Sequence, residues 1–337
     1  MKLLKNKKSL TIIIVSMIAS NALTYYYSHK KSNSSIEAAD SSNCDNNYKV
    51  ARLTGYNYVK PILFVDDKYE SENLNSVKQN VNGIIENYKK IGVLNSASVY
   101  IKEFNTNGWT GINVDEKFLP GSLMKVPELI AYLKMNEVRP GTLDRVISYD
   151  YERDLDRHTN FNSKTIQVGK KYTIRELLTY MIKYSDNQAT NLLNENIDLK
   201  IFGKVFSDLG LASPDWKSPS FPISAKEYSL FMRALYNGTY LNIENSEIGT
   251  ELLSQCDFNK GLIAGLPKGT KVAHKFGEAG NVSGQQLCES AIVYVNDSAY
   301  VLTIMTSGKD YKKLPEIIKE ISTNVYQSMK TNAIASN

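Results

Sequence analysis

Apolar residues recur along this chain in two rhythms, and the switches between them divide it. Val77, Val81, Ile84, Ile85 and Tyr88 return at three- and four-residue intervals over residues 74–91, which predicts an amphipathic helix. Residues 96–104 alternate in strand fashion, and Asn105-Thr106-Asn107-Gly108 supplies a turn into a second strand over 109–114. Residues 119–240 read as helices joined by loops: 173–183 behind a Thr173–Glu176 capping box, then 195–209 and 225–236. Strand rhythm returns over 270–276, 286–295 and 299–306. Leu314, Ile317, Ile318, Ile321, Val325 and Met329 line one face of a last helix over 314–329. No internal repeat is present. The order helix, two strands, helical block, three strands, helix predicts an α+β domain. Its simplest form is one five-stranded antiparallel sheet flanked by helices, with an inserted helical subdomain beside it. A cleft between sheet edge and helical block is the natural place for a site.

The N-terminal residues follow neither rhythm. Lys2, Lys5, Lys7 and Lys8 precede a largely apolar run over residues 10–27 that ends in Tyr25, Tyr26 and Tyr27. Eighteen helical residues rise about 27 Å, just short of a typical hydrocarbon core. The length and the aromatic end favour an uncleaved membrane anchor. Ser20-Asn21-Ala22 offers instead a small-residue cleavage site near Ala22, as in a secretory signal. Both readings place the rest of the chain outside the cytoplasm. The expected organisation is an anchor or signal segment over 1–31, a flexible spacer over 32–54, a globular domain over 55–330 and a tail over 331–337.

Charge changes the picture once it is divided. The formal net charge is +5, but six lysines and no acidic residue lie in the first 31 positions. The remainder carries 34 basic and 35 acidic residues, a formal charge of −1. A domain so close to neutral lacks the electrostatic footprint of a nucleic-acid binder, and that class is set aside. Only three histidines occur, His29, His158 and His274, far apart in sequence, and Cys44, Cys256 and Cys288 match no metal spacing. No metal or cofactor is expected. Cys256 and Cys288 could bridge in an oxidising compartment.

Three short strings carry candidate chemistry. Pro120-Gly121-Ser122-Leu123-Met124-Lys125 opens an apolar helix, Tyr184-Ser185-Asp186-Asn187 follows a helix, and His274-Lys275-Phe276-Gly277 ends a strand. Singly each is weak; the same Ser-x-x-Lys spacing occurs at Ser28 to Lys31, in the juxtamembrane tail. Context strengthens the first. Spacing of three puts Ser122 and Lys125 on one face of a first helical turn. Leu123, Met124, Val126, Leu129, Ile130 and Leu133 make that helix apolar nearly all round, so a lysine there is desolvated and suited to act as a base. Pro127 is expected to bend the helix just after the site. Taken singly, His274 reads as a structural residue beside its strand and His158 as a loop residue.

In this order, the three strings resemble the class A serine β-lactamases and the penicillin-binding enzymes, whose set is S-x-x-K, S-D-N and K-T-G. The resemblance covers about residues 55–329. It implies that Ser122 attacks an amide carbonyl to form an acyl-enzyme and that Lys125 takes its proton. Ser185 would relay a proton to the leaving nitrogen, Asn187 would bind the substrate's side-chain amide, and Asp186 would tie its loop together. Lys275 would attract a substrate carboxylate. Beyond Gly277, the backbone N–H groups of Ser122 and Glu278 would form the oxyanion hole. The implied substrate is a β-lactam or a peptidoglycan-derived amide; oligomeric state is left open.

Two departures qualify this. Phe276 stands where the family usually has a threonine, and Glu278 adds negative charge nearby. The short segment 209–225, marked by Pro214, Pro219 and Pro222, has Asp215 as its only acid where class A enzymes carry a water-activating glutamate. Acylation is therefore expected, with slow deacylation. Two other functions stay open: a D,D-peptidase acting on stem peptides, and a non-catalytic penicillin-binding sensor or wall-binding module.

Overall fold

A computed structural model describes residues 47–153, 160–161, 164–215, 221–281 and 284–335. In chain order the elements are β1 (Tyr48–Arg52), β2 (Ile62–Asp67), α1 (Asn75–Lys90), β3 (Leu94–Glu103), β4 (Trp109–Ile112), β5 (Lys117–Phe118), α2 (Lys125–Val138), β6 (Val146–Tyr149), β7 (Lys170–Thr173), α3 (Ile174–Lys183), α4 (Asn187–Asn194), α5 (Leu199–Asp208), β8 (Ile223–Ser224), α6 (Ala225–Asn237), α7 (Ile243–Ser254), β9 (Val272–Asn281), β10 (Gly284–Val295), β11 (Ser298–Gly308) and α8 (Leu314–Ala335).

The five predicted strands form one antiparallel sheet in the order β4-β3-β11-β10-β9. Side-chain alternation gives it two apolar faces. On one, Val99, Ile101, Val293 and Ile304 pack with Val77, Val81 and Ile85 of α1 and with Ile317, Ile318, Ile321 and Val325 of α8. On the other, Tyr100, Ile292, Val301 and Met305 pack against the helical block through Leu129 and Leu133 of α2 and Tyr228 and Phe231 of α6. The terminal helices thus cover one face and the inserted block the other. The site strand, β9, is left at the sheet edge beside the block.

Local signals account for several boundaries. Thr173 and Glu176 close a capping box at the start of α3, and Ser224 and Glu227 close another at α6. The helix read over 195–209 begins only at Leu199, because the Asp198 carboxylate accepts the N–H groups of Lys200 and Ile201 and so acts as N-cap. Pro127 does not break α2. It is the third residue of the helix, where an N–H has no intrahelical duty.

The β1–β2 ribbon begins inside the stretch that reads as spacer. It is held by charge as well as packing. Asp66 sits between Arg233 at 2.5 Å and Lys102 at 3.1 Å, both of them buried. The Arg233 guanidinium also lies over the Phe64 ring at 4.5 Å. Burial works to raise the Asp66 carboxyl, but the two cations outweigh it and hold it below the usual carboxylate range.

Candidate active site

The turn that carries Ser122 is shaped by two glycines. Gly121–Met124 is a 3-10 turn that runs into α2 at Lys125. Strand β9 lies directly against it. A Cβ on Gly277 would fall 2.0 Å from the Pro120 carbonyl oxygen and 2.9 Å from the Ser122 nitrogen. A Cβ on Gly121, whose φ is +53°, would fall 2.1 Å from the Glu278 carbonyl oxygen and 2.9 Å from its nitrogen. Backbone meets backbone here because neither position has a side chain. The backbones of Ser122 and Glu278 are thereby brought into one corner. Ser122 itself is half-buried.

The turn is fastened from behind. Pro127 has no N–H to offer the Leu123 carbonyl four residues earlier, and that carbonyl accepts the Tyr228 hydroxyl at 2.8 Å instead. The Leu119 N–H donates to Gln286 Oε1 at 2.8 Å. Neither fastening residue has a sequence signal.

Ser185 is the meeting point of the other two strings. Lys125 Nζ donates to the Ser185 carbonyl at 2.6 Å, to Ser185 Oγ at 3.2 Å and to Asn187 Oδ1 at 2.8 Å. Lys275 Nζ donates to the same Ser185 Oγ at 2.9 Å and to the Phe276 carbonyl at 3.0 Å. Both lysines are buried, at 3% and 0% exposure, and so are satisfied by hydrogen bonds rather than water. With both lone pairs of the Ser185 hydroxyl occupied by ammonium donors, its own hydrogen is left to donate elsewhere. Ser185 has φ +53°, in the left-handed region, which turns its carbonyl and its hydroxyl toward one lysine. Burial pulls the Lys275 ammonium down to about 8, against the raising influence of Cys256, Asp257, Glu278 and Glu289.

Asp186 secures this loop. Its carboxylate accepts the Gln188 N–H at the start of α4, the Ile166 N–H and the Thr165 hydroxyl, all within 2.9 Å. Asn187 is the first residue of α4, with Oδ1 spent on Lys125.

Of the two departures on β9, Phe276 lies with its ring under the Lys275 ammonium, 4.1 Å from Nζ to the ring centroid, and the Glu278 carboxylate turns to segment 160–161. Phe276 is buried and stacks on Phe258 at 4.1 Å, with Phe161 edge-on to both rings. The Glu278 carboxylate is not loose charge in the site. It accepts the N–H groups of Asn160 at 2.7 Å and Phe161 at 3.0 Å, and burial pushes its carboxyl above the usual range. Segment 160–161 is thus a part of the site's surroundings that sequence reasoning missed.

Cys256 and Cys288 are both free. Cys288 pairs with Gly277 on the face toward the Ser122 turn, with its sulphur 3.8 Å from the Leu119 carbonyl, whereas Cys256 packs against the cluster on the opposite face. The sheet separates them, so the bridge considered from sequence is absent. His274 is buried on that same opposite face. Among the described residues no group of His, Cys, Asp and Glu could hold a metal ion, and no helix is long and apolar enough to cross a membrane. Residues 1–31, Cys44 and His158 lie outside the described residues.

Comparison with known proteins identifies the family and the fold. The model of the beta-lactamase enzyme family matches residues 76–329. Beta-lactamase ROB-1 of Haemophilus influenzae is 30% identical over 113 residues, which is 33% of this chain and 35% of that protein. The match thus spans about a third of the length of this relative. The structure of PBP-A superposes with a TM-score of 0.64 at 20% identity, covering 78% of this chain and 99% of that one. A mutant of PBP-A described as an acyl-enzyme complex with penicillin-G gives 0.61 at 20% identity, over 77% and 97%. The class A beta-lactamase from Mycobacterium abscessus gives 0.64 at 21% identity, over 75% and 99%.

Proposed function

Because the chain belongs to the beta-lactamase enzyme family, we propose that it is a serine acyl-transferring hydrolase in which Ser122 is the nucleophile and Lys125 its base. The observation that carries this reading is the grip of two buried ammonium groups on one hydroxyl, Ser185, beside the turn that holds Ser122. To act as base, Lys125 first releases to solvent one of the three protons it donates in the resting site, and its freed lone pair then takes the Ser122 proton as the oxygen attacks an amide carbonyl. The N–H groups of Ser122 and Glu278 receive the oxyanion; one such donor is worth about 2.7–4 kcal/mol of transition-state stabilisation. Ser185 passes its hydrogen to the departing nitrogen and is resupplied from the lysine side. Lys275 draws a substrate carboxylate, and Asn187, while bonded to Lys125, still has its amide N–H groups for the substrate.

The substrate class is a β-lactam or a peptidoglycan-like amide, met outside the cytoplasm by a domain that the N-terminal segment anchors or exports. Deacylation is slow. Among the described residues of 209–225, Asp215 is the only acid, and a missing general base costs about 10²–10⁴-fold. The acyl-enzyme described for the PBP-A mutant is the kind of adduct expected here. That same missing glutamate favours a second reading, a D,D-peptidase acting on stem peptides.

A fluorescent penicillin mixed with the purified protein should leave a label that survives a denaturing gel and is absent in Ser122→Ala. Absence of label in the wild type, or its persistence in Ser122→Ala, overturns the assignment of the nucleophile. Release of D-alanine from a stem-peptide mimic identifies the peptidase. A permanent adduct without turnover of either substrate identifies a sensor.

A further inference from the structure

The β1–β2 ribbon takes no part in acylation, and only one of its faces is covered. The covered face carries Ala51 and Phe64, packed on the core, and Asp66, which holds Arg233 and Lys102. Cross-strand partners share a face, so the pairs Tyr48–Asp67 and Val50–Val65 lie on the other one. Tyr48, Val50 and Val65 are exposed there, as is Ile62 beyond the bulge at Ala51–Arg52. In the loop that joins the strands, Tyr56, Tyr58 and Val59 are exposed too, Tyr58 at 98%. With Tyr69 these make eight of the fifteen exposed large apolar side chains among the described residues, all within positions 48–69. Such side chains scattered singly are ordinary; a cluster on one ribbon marks a contact surface. The loop is tied at its neck, where the Leu53 N–H donates to the Pro61 carbonyl at 2.9 Å and the Arg52 guanidinium to the Lys60 carbonyl at 2.6 Å.

Charge and position say what covers it. Lys49, Arg52, Lys60 and Lys68 stand against only Asp66 and Asp67, and Asp66 is already spent on two buried cations. The chain beyond Lys31 is otherwise close to neutral. The ribbon is also the first described element after the apolar run 10–27. Residues 28–46 lie between, a span of at most about 65 Å even when fully extended. We propose that the open face of the ribbon docks on a lipid bilayer with anionic headgroups, its tyrosines and aliphatic side chains at headgroup level and its basic side chains on the phosphates. A chain held in a bilayer by residues 10–27 keeps the ribbon permanently within reach of that surface, so a weak patch suffices. The tether rests on the membrane reading of the N-terminal segment; the patch does not. Docking also orients the domain. Trp109 Nε1 donates to the Asp67 carbonyl at 2.9 Å and Asp66 holds Lys102, which fastens the ribbon to the β3–β4 edge of the sheet. Strand β9 is the opposite edge, four strand spacings or about 19 Å away. The Ser122 site is thereby held at the side of the sheet away from lipid.

The test reconstitutes the full chain, carrying Cys44→Ser and Cys256→Ser, in vesicles of phosphatidylcholine with or without phosphatidylglycerol, each containing a headgroup-nitroxide lipid. An uncharged fluorophore is placed through Tyr58→Cys or, as control, through Asn259→Cys, exposed beside the Phe258 ring that stacks on β9. With phosphatidylglycerol present, the label at 58 should be quenched and the label at 259 should not. Lys49→Glu with Lys60→Glu should lower the ratio of docked to free ribbon at least about fivefold. Absence of quenching at 58 in both vesicles overturns the docking. Quenching at 58 that is indifferent to phosphatidylglycerol and to the double variant overturns the anionic headgroup as partner. Equal quenching at 58 and 259 overturns the orientation. Energy transfer between labels at 58 on two copies, without lipid quenching, gives the face to a second copy of the chain and overturns the lipid. Flotation of the same samples separates the premises: a chain that does not float fails the anchor and the docking together, whereas a floating chain with an unquenched ribbon fails the docking alone.

Discussion

The two faces of β9 do opposite things with adjacent residues. Lys275 and Gly277 look toward the helical block, where one grips the Ser185 hydroxyl and the other lets the Ser122 turn touch the strand. His274, Phe276 and Glu278 look the other way, into an apolar face completed by Phe258, Phe161 and the Cys256 thiol. The first face is polar and satisfied: its two ammonium groups have oxygen acceptors at hydrogen-bonding distance. The second is aromatic, and His274 Nδ1, Glu289 Oε1 and the hydroxyls of Tyr300 and Tyr311 have no hydrogen-bond partner there among the described residues. The lesson is that two of the motif's departures from the family pattern, Phe276 and Glu278, fall on the second face. Phe276 still touches the charge at Lys275 through its ring, 4.1 Å from Nζ to centroid, while the bond from Lys275 to Ser185 stays in place.

The largest test of this contrast is Gly277→Ala. The new Cβ has nowhere to go but into the Pro120 carbonyl and the Ser122 nitrogen, and acylation should fall at least about hundredfold, as for loss of an oxyanion donor. Near-wild-type acylation would show that strand and turn are not in contact. Phe276→Thr should leave the hydrogen bonds of Lys275 intact while emptying an aromatic cluster. Chemical denaturation should read a loss of about 2–4 kcal/mol, near the range for buried phenylalanine truncations. If instead stability holds and β-lactam labelling speeds up, the ring was blocking the carboxylate site.

A pH profile separates the faces without mutation. The Lys275 ammonium titrates at about 8 in the folded protein, below its ordinary value. Its charge is therefore present below that pH and lost above it, and acylation should decline by up to about tenfold per unit once pH passes 8. Across the window from about 8 to the ordinary lysine value, the unfolded chain binds more protons than the folded one, so this group's contribution to stability rises with pH even as activity falls. An acylation rate flat to pH 9.5 would remove Lys275 from the site. The smallest expected effect is that of Tyr228→Phe, which takes the donor from the Leu123 carbonyl. It should cost about 0.5–1.5 kcal/mol in thermal or denaturant unfolding.

Much of the fold was legible because its signals are local. The capping box at Thr173, the turn after Phe104 and the apolar stripe of α8 each need fewer than twenty residues to be read. Elements without such signals were missed. Helix α7 has little amphipathicity: it buries Asn245, Ser246 and Gly249 along with its leucines and leaves Ile243 exposed. The β1–β2 ribbon continues a polar stretch and is fixed by Asp66 reaching Arg233, 167 residues away. The order of the three strings located the lysine face. Nothing local could have brought the Tyr228 hydroxyl to the Leu123 carbonyl, 105 residues away, because they meet only in three dimensions.

The left-handed turn at Ser185 separates two duties that a single residue holds. Its carbonyl anchors Lys125 and its hydroxyl answers both lysines, so Ser185→Ala would strip the proton relay proposed for it while the anchor stayed. A lineage on this scaffold therefore has a one-step route from catalyst to receptor, able to keep its grip on a ligand after surrendering the chemistry.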